Sequence, residues 1–134
     1  MKIDFSFTNN TKQKIPSRYF LFVLKKFLKK MEIKNSVEVN LILVGKLKIQ
    51  KLNHEYRKKD KPTDILSFPI DITNPKKIST LERIVLGDIY ICPEMVEKGE
   101  LQNTFLHGLI HLVGYDHEKN EKEWEKVLKK IDIK

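Results

Sequence analysis

The chain has a single cysteine, Cys92, so no intramolecular disulfide can form, which suits a reducing compartment. Long apolar runs are missing too. The longest, Tyr19 to Leu24, is far too short to span a bilayer. The opening stretch MKIDFSFTNN lacks the continuous apolar core of a secretory signal. These absences lead us to expect a cytoplasmic protein with no membrane association. No Gly/Ser-rich linker, internal repeat or low-complexity tract divides the 134 residues, so one domain spanning 1–134 is expected. Arginine is scarce: Arg18, Arg57 and Arg83 are three of 26 basic residues, which leaves 23 lysines. The net charge of +8 favours an anionic partner such as a nucleic acid backbone, although an A/T-biased genome would also give a lysine-rich chain.

What is present reads as an α+β layer fold. Ile3, Phe5 and Phe7 alternate with polar neighbours and mark a strand. Pro16 opens a helix in which Phe20, Val23, Leu24, Phe27, Leu28 and Met31 recur at helical spacing, with Lys25, Lys26, Lys29 and Lys30 on the solvated face. Val37, Val39, Leu41 and Leu43 alternate in a second strand ending at Gly45. Residues 46–58 are expected to form a helix with Leu47, Leu52 and Tyr56 on one face and Ile49 close by, broken at Pro62. DILSFPI reads as a short strand that Pro69 assigns to an edge or a strand end, and ERIVLGDIYIC as a fourth, stopped by Pro93. Cys92, at the end of that run, reads as a small buried apolar residue. Helices are expected at about 94–99, 101–113 and 120–131, the last with Trp124, Val127, Leu128 and Ile131 as its apolar stripe. The sum is a four-stranded mixed sheet layered with about five helices.

Three of the four histidines fall within HGLIHLVGYDH, at His107, His111 and His117. Helix positions four apart lie one turn apart on the same face, so His107 and His111 can present their rings to one point. Gly114 stands where such a helix would end, because glycine takes the left-handed position cheaply, and the reversal can bring His117 to the same point. Lone or paired histidines are usually structural. Three imidazoles at these spacings, without a fourth protein ligand, describe instead a zinc site with one position open for water, zincin-like in its use of a helix and the following turn. Nickel, copper or iron also accept imidazole, but tetrahedral geometry favours Zn2+. The spacing equals that of the metzincin proteases, which carry a general-base glutamate after the first histidine. Here that residue is Gly108, which cannot take up a proton, and the protease reading weakens accordingly.

HGLIHLVGYDH, together with NHEYRKKDKPTDILSFP (Asn53 to Pro69) and LGDIYIC (Leu86 to Cys92), resembles the YbeY family of bacterial endoribonucleases. Its members carry an HGxLHLxGYDH zinc motif, an N-x-x-Y-R-x-x-D-x-x-T-D-V-L-S-F-P segment and a G-D-I strand. The departures are small: Ile65 for valine, Ile110 for leucine, and polar Asn103 and Thr104 where the family is more often apolar. The resemblance implies a zinc-dependent endoribonuclease specific for single-stranded RNA. It further implies a role in ribosomal RNA maturation, at the 3′ end of the small-subunit RNA, in ribosome quality control, and at the small ribosomal subunit itself.

The resemblance also points to Arg57, the arginine of the YR pair, as the residue tied most closely to activity. The residues alone leave two readings equal: a fork matched to a phosphate, or a salt bridge to Asp60 or Asp64. Asp60, Thr63 and Asp64 suit turn and cap duties, and Ser67 is expected to face the same groove. Asp88, flanked by apolar residues, needs a partner, either a histidine ring or Arg57. Asp116 either caps its turn or serves as the proton acceptor that Gly108 is not. His54 reads as a surface residue and Trp124 as core. Two other functions compete. A ribosome-assembly binding factor with structural zinc would need a closed, four-ligand site, and a zinc hydrolase such as a metalloprotease would turn over peptides or esters.

Overall fold

The computed structural model describes residues 2–131 apart from 73, 76, 77, 79–81 and 117. Strand β1 (Ile3–Asn9) leads into helix α1 (Ser17–Lys30), then β2 (Ser36–Leu43), α2 (Lys46–Arg57), β3 (Ile65–Pro69), β4 (Arg83–Ile91), α3 (Leu101–Leu112) and α4 (Glu121–Lys130). The strands form one mixed sheet in the order β1-β2-β4-β3. β1, β2 and β4 run parallel, and β3 pairs antiparallel with β4 at the edge. Pro69 is the last residue of that edge strand, where the missing N–H costs no ladder bond.

Alternation along the strands separates two faces. Phe5, Val39, Leu41, Ile89 and Ile91 point to one face and join a core with Phe20, Leu24 and Phe27 of α1 and Phe105, Leu109 and Leu112 of α3. The apolar stripe of α1 is buried as its spacing predicts, while Lys25, Lys26, Lys29 and Lys30 stay exposed. α2 lies on the other face, where Ile49 and Leu52 pack with Val44, Leu66 and Cys92. α4 starts at Asn120, whose side chain accepts the Glu123 N–H. Acidic residues in its first turn and lysines in its last suit the helix dipole. Among the described residues no helix is long and apolar enough to cross a membrane.

Two expectations about helices are corrected. Among the described residues there are four α-helices rather than about five: the stretch expected to be helical at 94–99 is only a three-residue 3-10 turn, Pro93–Met95. Its backbone makes tight bonds from Met95 to Cys92 and from Val96 to Pro93, and Val96 is already extended. α2 keeps its expected bounds, Lys46–Arg57 with Lys58 as its cap, and Lys58 turns the chain in the left-handed conformation at φ 60° before Pro62 is reached. It packs, however, through Ile49, Leu52 and Asn53, which leaves Leu47 79% and Tyr56 60% exposed.

Candidate metal centre

Helix α3 carries His107 and His111 one turn apart, and a single ring of α4 packs against both. The Trp124 indole lies 4.8 Å from the His111 imidazole, centre to centre, and 5.7 Å from that of His107. Both imidazoles therefore project to the α4 side of α3, as a shared ligand requires. His107 is exposed and His111 half-buried, so the pair opens to solvent at one end. His117 lies outside the described residues, and among those described no three candidate ligands converge. Two neutral imidazoles at helical i, i+4 spacing fit a divalent transition metal as far as they go.

The turn after α3 is built as its glycine predicts. Gly114 takes φ +98°, its N–H bonds the His111 carbonyl at 3.0 Å, and the Tyr115 N–H bonds the Ile110 carbonyl at 3.3 Å. This is the Schellman pattern, which reverses the chain at the last histidine of the helix. Asp116 closes the next turn. Its Oδ1 accepts the Glu118 N–H at 2.9 Å and its carbonyl accepts the Asn120 N–H at 2.9 Å. These bonds lead the chain into α4 and Trp124.

Gly108 has a packing reason of its own. A Cβ there would lie 2.8 Å from Ile65 Cδ1, 3.0 Å from Ile89 Cδ1 and 3.1 Å from Ser67 Oγ. The residue faces the sheet, away from the imidazoles, and lets α3 settle on β3 and β4. Ser67 is thus placed beneath α3, beside the residue that follows His107.

Arg57 sits elsewhere. It ends α2 on the opposite face of the sheet from α3, is exposed, and forms no ion pair with Asp60 or Asp64. Those carboxylates are engaged locally: Asp60 accepts from the Gln50 amide at 3.1 Å and Asp64 from the Thr63 hydroxyl at 3.3 Å. Edge strand β3 lies between Arg57 and the histidines, with Ile65 and Ser67 turned toward α3 and Leu66 and Phe68 toward α2. His54 is exposed in the last turn of α2. Among the described residues Asp88 bonds neither a histidine nor Arg57. It pairs in register with Phe68 and with Asn40, and its Oδ1 accepts the Asn40 amide at 2.8 Å. Cys92 is fully buried, and that burial pushes its thiol above the ordinary value, so it is no nucleophile.

Sequence reasoning missed two partners. Trp124 reads as part of a stripe, and nothing in the sequence brings it to the histidines; its being the only tryptophan is the one hint. Asn40 is legible in the sequence only as one of the outward alternates of β2. The role of Trp124 gives a first prediction. Trp124→Ala is expected to lower stability by about 3 kcal/mol, from the cavity it leaves between α3 and α4, while Trp124→Phe recovers at least half. Urea denaturation of the two variants measures this, and equal stabilities would contradict it.

Among known proteins, the family model described as endoribonuclease YbeY matches residues 5–132. The chain is 42% identical to the endoribonuclease YbeY of Thermotoga maritima over 72% of this chain and 67% of that protein. It is 34% identical to that of Mesoplasma florum over 93% of this chain and 80% of the relative. The solution structure of a Thermotoga maritima protein superposes with a TM-score of 0.55 at 30% identity, covering 96% of this chain and 87% of that one.

Proposed function

The chain belongs to the endoribonuclease YbeY family, and from that premise we propose that it is a cytoplasmic, zinc-dependent endoribonuclease. Its substrate is single-stranded RNA, and its setting is maturation of the small-subunit ribosomal RNA and ribosome quality control. His107, His111 and His117 would hold the ion, which when bound supplies Lewis acidity for a phosphate oxygen and a lowered pKa for water. The observation that carries this reading is the packing of His107 and His111 against one Trp124 ring, which fixes both imidazoles on one side of α3.

The remaining steps fall to side chains. Arg57, exposed and without an ion pair among the described residues, is available to bind the scissile phosphate with two parallel hydrogen bonds and to stabilise the charge that grows on it. Asp116 commits Oδ1 to its turn, and its carboxylate is the nearest described candidate to accept a proton along the chain from the histidines. Lysines over the surface supply salt-sensitive affinity for the RNA backbone.

The test is cleavage of defined single- and double-stranded RNA by the purified protein, together with metal analysis. We expect about one zinc per chain, cleavage of the single strand alone, and loss on chelation that zinc reverses. Products ending in a 2′,3′-cyclic phosphate identify the RNA's own 2′-OH as nucleophile, and other ends identify water. Cleavage that persists at full rate after the metal is removed overturns the reading.

A further inference from the structure

The sheet has one face buried under α1 and α3 and a second that α2 covers only at one rim. Asp4, Ser6 and Thr8 of β1 are exposed on that second face, and Glu38, Asn40, Phe68, Asp88 and Tyr90 are half-buried. A row of aromatic rings crosses it from the end of α2. The Tyr56 ring stands 5.1 Å from that of Phe68, and Phe68 stands 5.9 Å from Tyr90, both edge to face. Tyr56 is 60% exposed, so it leans on Phe68 while most of its own ring meets water. Across the register from Phe68 lies Asp88 and, beyond it, Asn40, the two joined by a hydrogen bond.

Charge on this face is sorted. Arg57, Lys58, Lys59 and Lys61 follow Tyr56 and all are exposed, interrupted only by Asp60, which accepts from the Gln50 amide, so the rim beside the row is net cationic. The interior of the face carries the Asp88 carboxylate, held by Asn40, while Glu38 is ion-paired with Arg83 at 3.2 Å. One sign of the crowding is that the Tyr90 hydroxyl is held above its ordinary pKa, by burial first and then by Asp88 and Tyr56. A polyanion laid with its phosphates over the carboxylates would be repelled. Laid with phosphates on the rim and bases turned inward, it meets cations with its charges and rings with its bases. Only a single strand can do this, because a duplex keeps its bases stacked inside.

We propose that this face is a docking surface for single-stranded RNA, on which a nucleobase stacks on Tyr56 at the head of the aromatic row. The phosphates follow Arg57, Lys58, Lys59 and Lys61, and Asn40 and Asp88 offer an amide and a carboxylate to a base edge further in. The proposal rests on the endoribonuclease reading for the identity of its occupant. It also joins the two halves of the site. Phe68 and Ser67 are neighbours on edge strand β3 and point to opposite faces, so a strand passing round that edge travels from the stacking row to the helix of His107 and His111.

The test is a fluorescence-anisotropy titration of a labelled single-stranded RNA with the full chain, the metal chelated so that binding is read without cleavage. Tyr56→Ala is expected to weaken binding about 10-fold, while Tyr56→Phe and Tyr56→Trp keep it within about two-fold. Tyr56→Ala should leave the salt dependence unchanged, whereas Arg57→Ala lowers its slope by about one. Phe22→Ala, an exposed aromatic on α1, serves as control and should bind as the wild type does. Wild-type binding with no loss in Tyr56→Ala, or equal loss in Phe22→Ala, overturns the docking surface and leaves the RNA-cleaving function standing. A wild-type chain that binds no RNA at all removes the function first and the surface with it.

Discussion

Arg57→Ala is expected to fold as the wild type does and to cleave single-stranded RNA about 10²- to 10³-fold more slowly, the effect of removing one charge-stabilising donor from a transition state. The two halves of this expectation come from different observations. Stability should hold within about 0.5 kcal/mol, because the side chain is exposed and forms no ion pair with Asp60 or Asp64, so only a weak interaction with the carboxyl end of α2 is lost. Activity should fall because a scarce arginine, held at a helix end and unpaired with Asp60 and Asp64, keeps its fork for a ligand. Arg57→Lys separates charge from geometry. It retains the charge without the planar pair of donors, and recovery of only a minor part of the rate is the expected result. Single-turnover cleavage and urea denaturation on the same preparations decide the matter. Wild-type rates in a folded Arg57→Ala protein would remove Arg57 from the chemistry.

How far such expectations can be drawn from sequence depends on whether the signal is local. Helix spacing placed His107 and His111 on one side of α3, and Gly114 marked the reversal, because both follow from backbone geometry within one turn. The alternations of β1 and β2 and the stripe of α1 were legible for the same reason, and Pro69 marked the edge strand. α2 was misread where packing overrides pattern. It lies on a sheet rim too narrow to bury every apolar residue at helical spacing, so Leu47 and Tyr56 face water while polar Asn53 is buried and holds the Lys61 carbonyl. Which face each helix covers is set by tertiary pairing, so neither the separation of Arg57 from the histidines by β3 nor the contact of Trp124 with both rings was readable. Asp88 shows the limit well. The need for a partner was evident from burial, but its partner is Asn40, 48 residues away along the chain.

Gly108→Glu, which would complete the protease-like HExxH pattern, is expected instead to unfold the protein, lowering stability by about 4 kcal/mol. Alanine sets the baseline. Its Cβ would come within 2.8 Å of Ile65 Cδ1 and 3.0 Å of Ile89 Cδ1, but both are ends of side chains that can turn. The crowding of about 1–2 kcal/mol is then largely offset by the gain of about 1 kcal/mol from replacing glycine inside a helix. Glutamate has no such escape, because its longer stem must push a carboxylate between α3 and the sheet. The penalty on its charged form raises its folded pKa above the unfolded value of about 4.3. The variant should therefore be least destabilised below about pH 4 and lose stability as the pH rises toward neutrality. Gly108→Gln, with nearly the same shape and no charge, should lie between alanine and glutamate and show no such pH dependence. Urea denaturation of the three variants at two pH values distinguishes shape from charge. A Gly108→Glu protein as stable as Gly108→Ala would mean that position 108 opens toward the imidazoles after all, and the missing base, rather than the close approach of α3 to the sheet, would then be what the glycine signifies.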